Sequence, residues 1–206
     1  MKYGLGITMT LSDLNLNQVI AKVNDDEKMT ITAPPEVQTL YPPEQNPFAY
    51  DEHLTALVPA EESKLHALHY AILNDARILI IPRNMTIKEP IFIRSHVSKN
   101  AKAESVVIIA EESSTATVIE QSTTGENAYY KSQIIQIYAR DGATITYYSL
   151  QNHGDGTYAC ITKRGKAERG AVIRWLDATL GGKWTQLSLR TILNLPGAQS
   201  EKRGLF

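Results

Sequence analysis

The chain has 206 residues, 43% of them hydrophobic and 21% charged, with a formal net charge of −1. That length suits one or two domains with a real core, and the near-neutral balance removes the electrostatic case for a nucleic-acid or anionic-membrane binder. A single cysteine, Cys160, excludes an internal disulfide and fits a reducing compartment, and no run approaches the ~18 apolar residues that span a bilayer.

The N-terminus, MKYGLGITMTLSDLNLN, carries one lysine and an apolar stretch broken before Asp13. It is a poor signal peptide, so a soluble, cytoplasmic protein is expected. Residues 1–33 predict short strands at Gly4–Thr10 and Met29–Ala33. Pro34, Pro35, Pro42, Pro43 and Pro47 follow, and such a stretch cannot hold a regular helix or a central strand, so it reads as an extended linker. From Glu61 the pattern changes: Leu65, Leu68, His69, Ile72 and Leu73 fall on one face of a helix. Glu61 and Glu62 favour its N-terminal end, and Asn74-Asp75 is the expected stop. Residues 1–76 therefore form an N-terminal region with a Pro-rich linker and one amphipathic helix.

From Arg77 onward the chain repeats in its apolar pattern. Strand-like runs start at Ile87, Thr115, Ala143 and Ala171, each 28 residues after the last. A second series, ILII from Ile78, VVII from Val106, IIQI from Ile134, CIT from Cys160 and LSL from Leu187, runs ahead of it at similar spacing. Periods of roughly 20–50 residues signal stacked repeats. Two short β-runs per repeat and no helical pattern predict a right-handed parallel β-helix, a mainly β solenoid of about 28 residues per coil over 77–206. Turns are expected at Pro82-Arg83-Asn84, Asp141-Gly142, Gly154-Asp155-Gly156 and Gly181-Gly182. Lys183–Phe206 reads as one more coil without a capping helix, so another chain, or more of a longer protein, is expected at that end.

Candidate chemistry is sparse. Cys160 is the only soft ligand; in TYACIT it shares a face with Tyr158 and Thr162. An exposed thiol of lowered pKa could bind iron or carry sulfur, helped by Lys163, Arg164, Lys166 and Arg169. The competing reading is a buried small hydrophobe. His66 and His69, spaced i, i+3, lack further ligands nearby and read as a solvated or half-buried helix pair. His153 falls in an expected turn. The basic run KRGKAERG reads as a solvated turn, with contact to a partner or an anionic ligand as the alternative. Gly181-Gly182-Lys183-Trp184 lacks the full phosphate-loop pattern. Glu111, Glu112 and Asp141 stand in turns with no pocket to separate their pKa values. The tyrosines at 129, 130, 138, 147, 148 and 158 read as coil-packing ladders ahead of a base-stacking platform. A carbohydrate-active solenoid enzyme needs charged residues in file on one face. The positions expected to stack, Glu89, Thr117, Ile145 and Ile173, are mostly apolar.

Five segments carry a resemblance to a known family: RILIIPRNMTIKEPIFI (77–93), VVIIAEESSTATVIEQS (106–122), QIYARDGATITYYSLQN (136–152), TKRG (162–165) and LDATLGGKWTQLSLRTILNLPGAQSEKRGLF (176–206). Together they resemble the SufB/SufD family, the β-helical scaffold subunits of the SUF system for iron–sulfur cluster assembly. The resemblance spans roughly Leu65 to Phe206. It implies a non-catalytic scaffold pairing with a SufB/SufD-type subunit, as homo- or heterodimer. A SufC-type ABC ATPase would dock on C-terminal helices if the full protein has them. It implies no cofactor bound by this chain alone, with a transient Fe–S cluster only in the assembled complex. The chain departs from the pattern by stopping before the second half of the family's solenoid and before those helices. It also has Ser122 and Lys166-Ala167 where SufB-type sequences tend to carry thiols. These departures make it closer to SufD.

Overall fold

The computed structural model describes residues 14–21, 23, 27–42 and 53–205. The strand expected at Gly4–Thr10 lies outside them. Three short helices, α1 (Leu16–Ala21), α2 (His53–Ala56) and α3 (Lys64–Ala71), and two short strands, β1 (Thr30–Thr32) and β2 (Gln38–Leu40), precede the coils. The coils are built from β3 (Leu73–Ile81), β4 (Ile91–Ala110), β5 (Thr115–Ala139), β6 (Thr144–His153), β7 (Tyr158–Ala167), β8 (Val172–Gly181), β9 (Trp184–Leu193) and β10 (Gln199–Leu205).

These strands stack in parallel as two columns. One column holds β3, residues 101–110 of β4, residues 130–139 of β5, then β7 and β9. The other holds residues 91–97 of β4, residues 115–123 of β5, then β6, β8 and β10. In β4 and β5 the backbone bends from one column to the other without losing its pairing, with register shifts between Val97 and Lys99 and between Asn100 and Ala101. Later coils break at Gly154–Thr157 and Gly182–Lys183 instead. Gly181 and Gly182 make that second corner at positive φ (69° and 84°), and a Cβ on Gly181 would stand 2.1 Å from the His153 carbonyl oxygen. The shape of this corner is a backbone requirement, which accounts for the Gly-Gly-Lys run without a phosphate.

The parallel β-solenoid read from the repeat is the observed fold, but its step is uneven. In the first column Arg77 faces Val106, Val106 faces Ile135, Ile135 faces Lys163 and Lys163 faces Leu189, steps of 29, 29, 28 and 26 residues. A uniform step of 28 therefore misaligns the expected file of Glu89, Thr117, Ile145 and Ile173. Thr117 stacks on Thr146, Arg174 and Glu201, whereas Ala116 stacks on Ile145, Ile173 and Ser200. A slip of one residue exchanges the faces, so the outward file is polar and the inward one mostly apolar.

Inside the coils, aliphatic and aromatic side chains fill the half nearest the tight turns: Ile108, Ile137, Val118, Ile145, Tyr147 and Trp175 are all sealed from solvent. Tyr147 and Trp175 are stacked neighbours with ring centroids 5.5 Å apart, so this pair supports the packing-ladder reading of the tyrosines. The first column's outer face is covered in turn. Leu54, Leu57 and Val58 lie on Ile78, Val107 and Ile134, and Leu68 of α3 and Ile72 at its C-cap lie beside Ala103, Tyr130 and Cys160.

The N-terminal expectations are partly revised. The Met29–Ala33 strand appears as β1, paired with β4. The Pro-rich stretch is not simply an extended linker: Val37 N–H closes a turn onto the Pro34 carbonyl, and β2 then pairs with β3. The helix ends at Ala71, and Leu73 and the Asn74-Asp75 expected stop already belong to β3. Its N-cap is Ser63, whose hydroxyl accepts the His66 N–H, behind a 3-10 turn at Ala60–Glu62.

His66 and His69 are not solvated. Both are buried, because α3 lies across three coils and its imidazoles reach their hydroxyls. His69 spans Ser132 and Ser105 at 2.8 and 2.9 Å, and His66 Nε2 meets Thr162 Oγ1 at 3.0 Å. Burial pushes His69 down to about 3 from an ordinary value of 6.5, with nearby His66 adding to the effect. The unfolded chain therefore takes up that proton first as pH falls. The stability due to a neutral His69 is complete above pH 6.5 and is lost progressively from there toward pH 3. Urea midpoints should fall over that window, and His69→Gln, though less stable at neutral pH, should show a shallower decline. Equal slopes for the two proteins would contradict this role.

Candidate functional site

The interior near the bends is charged. Strand alternation turns Asp75, Lys102, Glu104, Lys131, Glu120, Lys163 and Asp177 inward, all of them buried. Burial of such ions costs several kcal/mol each unless they are paired and hydrogen-bonded, and here they form two linked groups. Lys102 Nζ lies 3.4 Å from Asp75 and 3.2 Å from Glu104, and Lys131 Nζ lies 3.2 Å from Glu104. Ser95 accepts from Lys131 and donates to Glu104, each at 2.7 Å, and Gln133 donates to Glu104 at 2.9 Å. Toward β10, Lys163 binds Asp177 at 2.5 Å and Glu120 at 3.5 Å, and Ser149 donates to Glu120 at 2.7 Å. Lys163 also stands over the Tyr147 ring, 5.1 Å from its centroid. Burial alone would raise the Glu104 pKa, but Lys131 and Lys102 outweigh it and hold Glu104 at about 2.

None of this network was expected from the sequence. Lys163 and Arg164 were assigned to a solvated turn; they are strand residues, Lys163 sealed inside and Arg164 buried on the outside. The turn begins only at Glu168. The available signal was alternation: a lysine at the inward phase of a buried strand requires a carboxylate on a neighbouring strand. His153 is likewise corrected. It is the last residue of β6, buried, with Nε2 3.5 Å from the Ser122 hydroxyl, and burial, with Lys131 nearby, pushes it down to about 4.

Cys160 sits where alternation places it, on the outer face with Thr162, but beneath α3. It is buried against Leu68, Ile72 and Tyr130. Burial pushes its thiol up to about 11, the neighbouring Tyr130 offsetting only part of the rise. The basic run does not activate it: Lys163 points to the opposite face, and Arg164 is bound to Glu62 at 2.8 Å. Ser122 and Ala167, where the resemblance to SufB-type sequences implies thiols, are fully buried, and the solenoid turns both inward. The lone thiol therefore lies on the other side of the sheet from them. Among the described residues no group of three or more His, Cys, Asp and Glu is placed to hold a metal ion, and no helix is long and apolar enough to cross a membrane.

A thiol that is neutral and covered reacts slowly, since the thiolate is the nucleophile. Iodoacetamide at pH 8 should leave Cys160 largely unmodified in the folded chain and label it fully in urea. Rapid stoichiometric labelling of the native protein would contradict the buried placement.

Comparison with known proteins bears on the coils. The family described as SUF system FeS cluster assembly, SufBD core domain, matches residues 92–206, from the first strand of the second column to the end. The iron–sulfur cluster assembly protein SufB of Bacillus subtilis is 24% identical over 160 residues, covering 75% of this chain and 34% of that protein. SufBD family proteins of Staphylococcus haemolyticus and Staphylococcus aureus are also 24% identical, each over 34% of its length. The chain thus spans about a third of the length of these relatives. With the matched region covering more than half of the chain and coinciding with its stacked coils, the chain belongs to the SufBD core family of the SUF iron–sulfur cluster assembly system.

Proposed function

We propose that this chain acts as a non-catalytic scaffold subunit in iron–sulfur cluster assembly, closer to SufD than to SufB, in the cytoplasm. The observation that carries this reading is the SufBD core match lying on the solenoid coils. The cluster is cargo of the assembled complex. Ser122 and Ala167, buried where thiols would be, leave this chain without sulfur ligands inside the solenoid, so its contribution is shape and surface. The solenoid supplies a rigid face and strand edges for pairing with a SufB/SufD-type subunit. A SufC-type ATPase would join through C-terminal helices if the full protein has them. The carbohydrate-active alternative gains nothing from the true outward file, Thr117, Thr146, Arg174 and Glu201, which carries one carboxylate.

Anaerobic co-purification with a SufB-type subunit and the SUF ATPase tests this, with complex mass and visible absorbance read after iron and sulfide loading. The expected result is a complex that contains the chain and holds a chromophore, while the chain alone stays colourless. A colourless complex would reduce the role to a structural interaction module. A chain that remains a dilute monomer in the presence of the SufB-type subunit would overturn the proposal.

A further inference from the structure

The N-terminal end of α3 meets β7 and β9 at a polar cleft of about 170 Å³, far larger than the ~10–15 Å³ that admits one water. Ser63, His66, Thr162, Arg164, Gln186 and Ser188 line it, together with the Glu62 carboxylate. Two side chains lining it are more than nine-tenths buried and have an unmatched nitrogen. Arg164 is 5% exposed, and its Nε–H has no partner. The rest of its guanidinium is committed: Nη1 donates to the Lys163 and Ser188 carbonyls and the Ser188 hydroxyl, and Nη2 donates to Glu62. His66 is 9% exposed, and its Nδ1 has no partner.

Helix geometry adds donors at the same place. The first N–H groups of an α-helix have no intrahelical acceptor. Ser63 takes that of His66 with its hydroxyl and that of Ala67 with its carbonyl, which leaves those of Lys64 and Leu65. The charge balance favours an anion. Arg190 stacks directly on Arg164 in the next coil, so two guanidinium groups face the single Glu62 carboxylate that pairs with Arg164. With Thr162 donating to His66 Nε2 and the ring proton on Nδ1, the two groups without partners are both donors and call for an acceptor oxygen, and the surplus positive charge selects an oxyanion over water.

We propose that the cleft between α3, β7 and β9 binds a small oxyanion, held by Arg164 Nε–H, His66 Nδ1–H and the first-turn amides of α3. The site gives Arg164 of the basic run an anion-binding role. It uses residues of this chain alone, so it stands or falls independently of the scaffold reading.

The test is a titration of the full ¹⁵N-labelled chain with inorganic phosphate, against sodium chloride at matched ionic strength. The Arg164 Nε–H and the backbone amides of Lys64 and Leu65 should shift and saturate together with phosphate and not with chloride. Ser188→Asp places a carboxylate against the guanidinium and should weaken phosphate binding by about tenfold or more, the scale of a charge-assisted contact. Gln186→Glu at the exposed rim should weaken it in the same direction. The Trp175 Nε1–H, which donates to Thr191 inside the coils, reports on whether each variant is folded. Equal shifts with chloride, an unmoved Arg164 Nε–H, or unchanged affinity in folded Gln186→Glu would each overturn the proposal.

Discussion

An ion placed inside a stack of β-coils has no water to turn to, and its partner must come from the same or an adjacent coil. This constraint governs the structure. Lys102, Lys131 and Lys163 are sealed within the solenoid, and each is matched by carboxylates one coil away or across the lumen. Lys102 and Lys131 stack directly on one another in register, which would be repulsive if Glu104 did not contact both. A shift of either coil by one residue would turn these groups outward and leave unpaired charge behind. A two-residue slip, which keeps the faces, is tolerated far better by an aliphatic stack, where one isoleucine resembles the next, than by ions that each need a particular partner. In this account the ionic groups select the register and the apolar half supplies most of the burial energy.

The outer surfaces follow from that register. Once the lysines face inward, Ser105, Ser132 and Thr162 face outward on successive coils, and His66 and His69 bind α3 to them. The same placement buries Cys160 beneath the helix and aligns Arg164 with Arg190 at the edge of that cover. The thiol is therefore a packing residue, and the polar chemistry available to a ligand lies beside it.

The fold was legible because β-branched runs, turn residues and a near-constant period agree over more than four coils. The resemblance to the SufB/SufD family was legible from the order of five segments. Register was not legible: steps of 26 to 29 residues average close to 28, and the error needed to reverse a face is a single residue. The ionic groups were missed for a related reason. Lys163 meets Glu120 and Asp177 across the lumen, and no local spacing in TKRGKA announces either partner, so the run read as a solvated turn. Cys160's face was correctly read from alternation, but its burial depends on a helix some ninety residues earlier in the chain, whose covering role no local pattern reveals.

The most direct test of the central claim is a double-mutant cycle on Lys163 and Asp177. Lys163→Met strands two buried carboxylates, Asp177 and Glu120, and should cost about 3–5 kcal/mol, whereas Asp177→Leu leaves Lys163 its weaker contact with Glu120 and should cost less. The double variant removes the Asp177 charge that Lys163→Met strands and leaves only Glu120 unmatched, so it should recover part of that loss, giving a coupling energy well above the ~0.3–0.5 kcal/mol expected of independent sites. Additive losses would mean that the two residues do not sense one another, and that the ionic groups do not hold the coils in register.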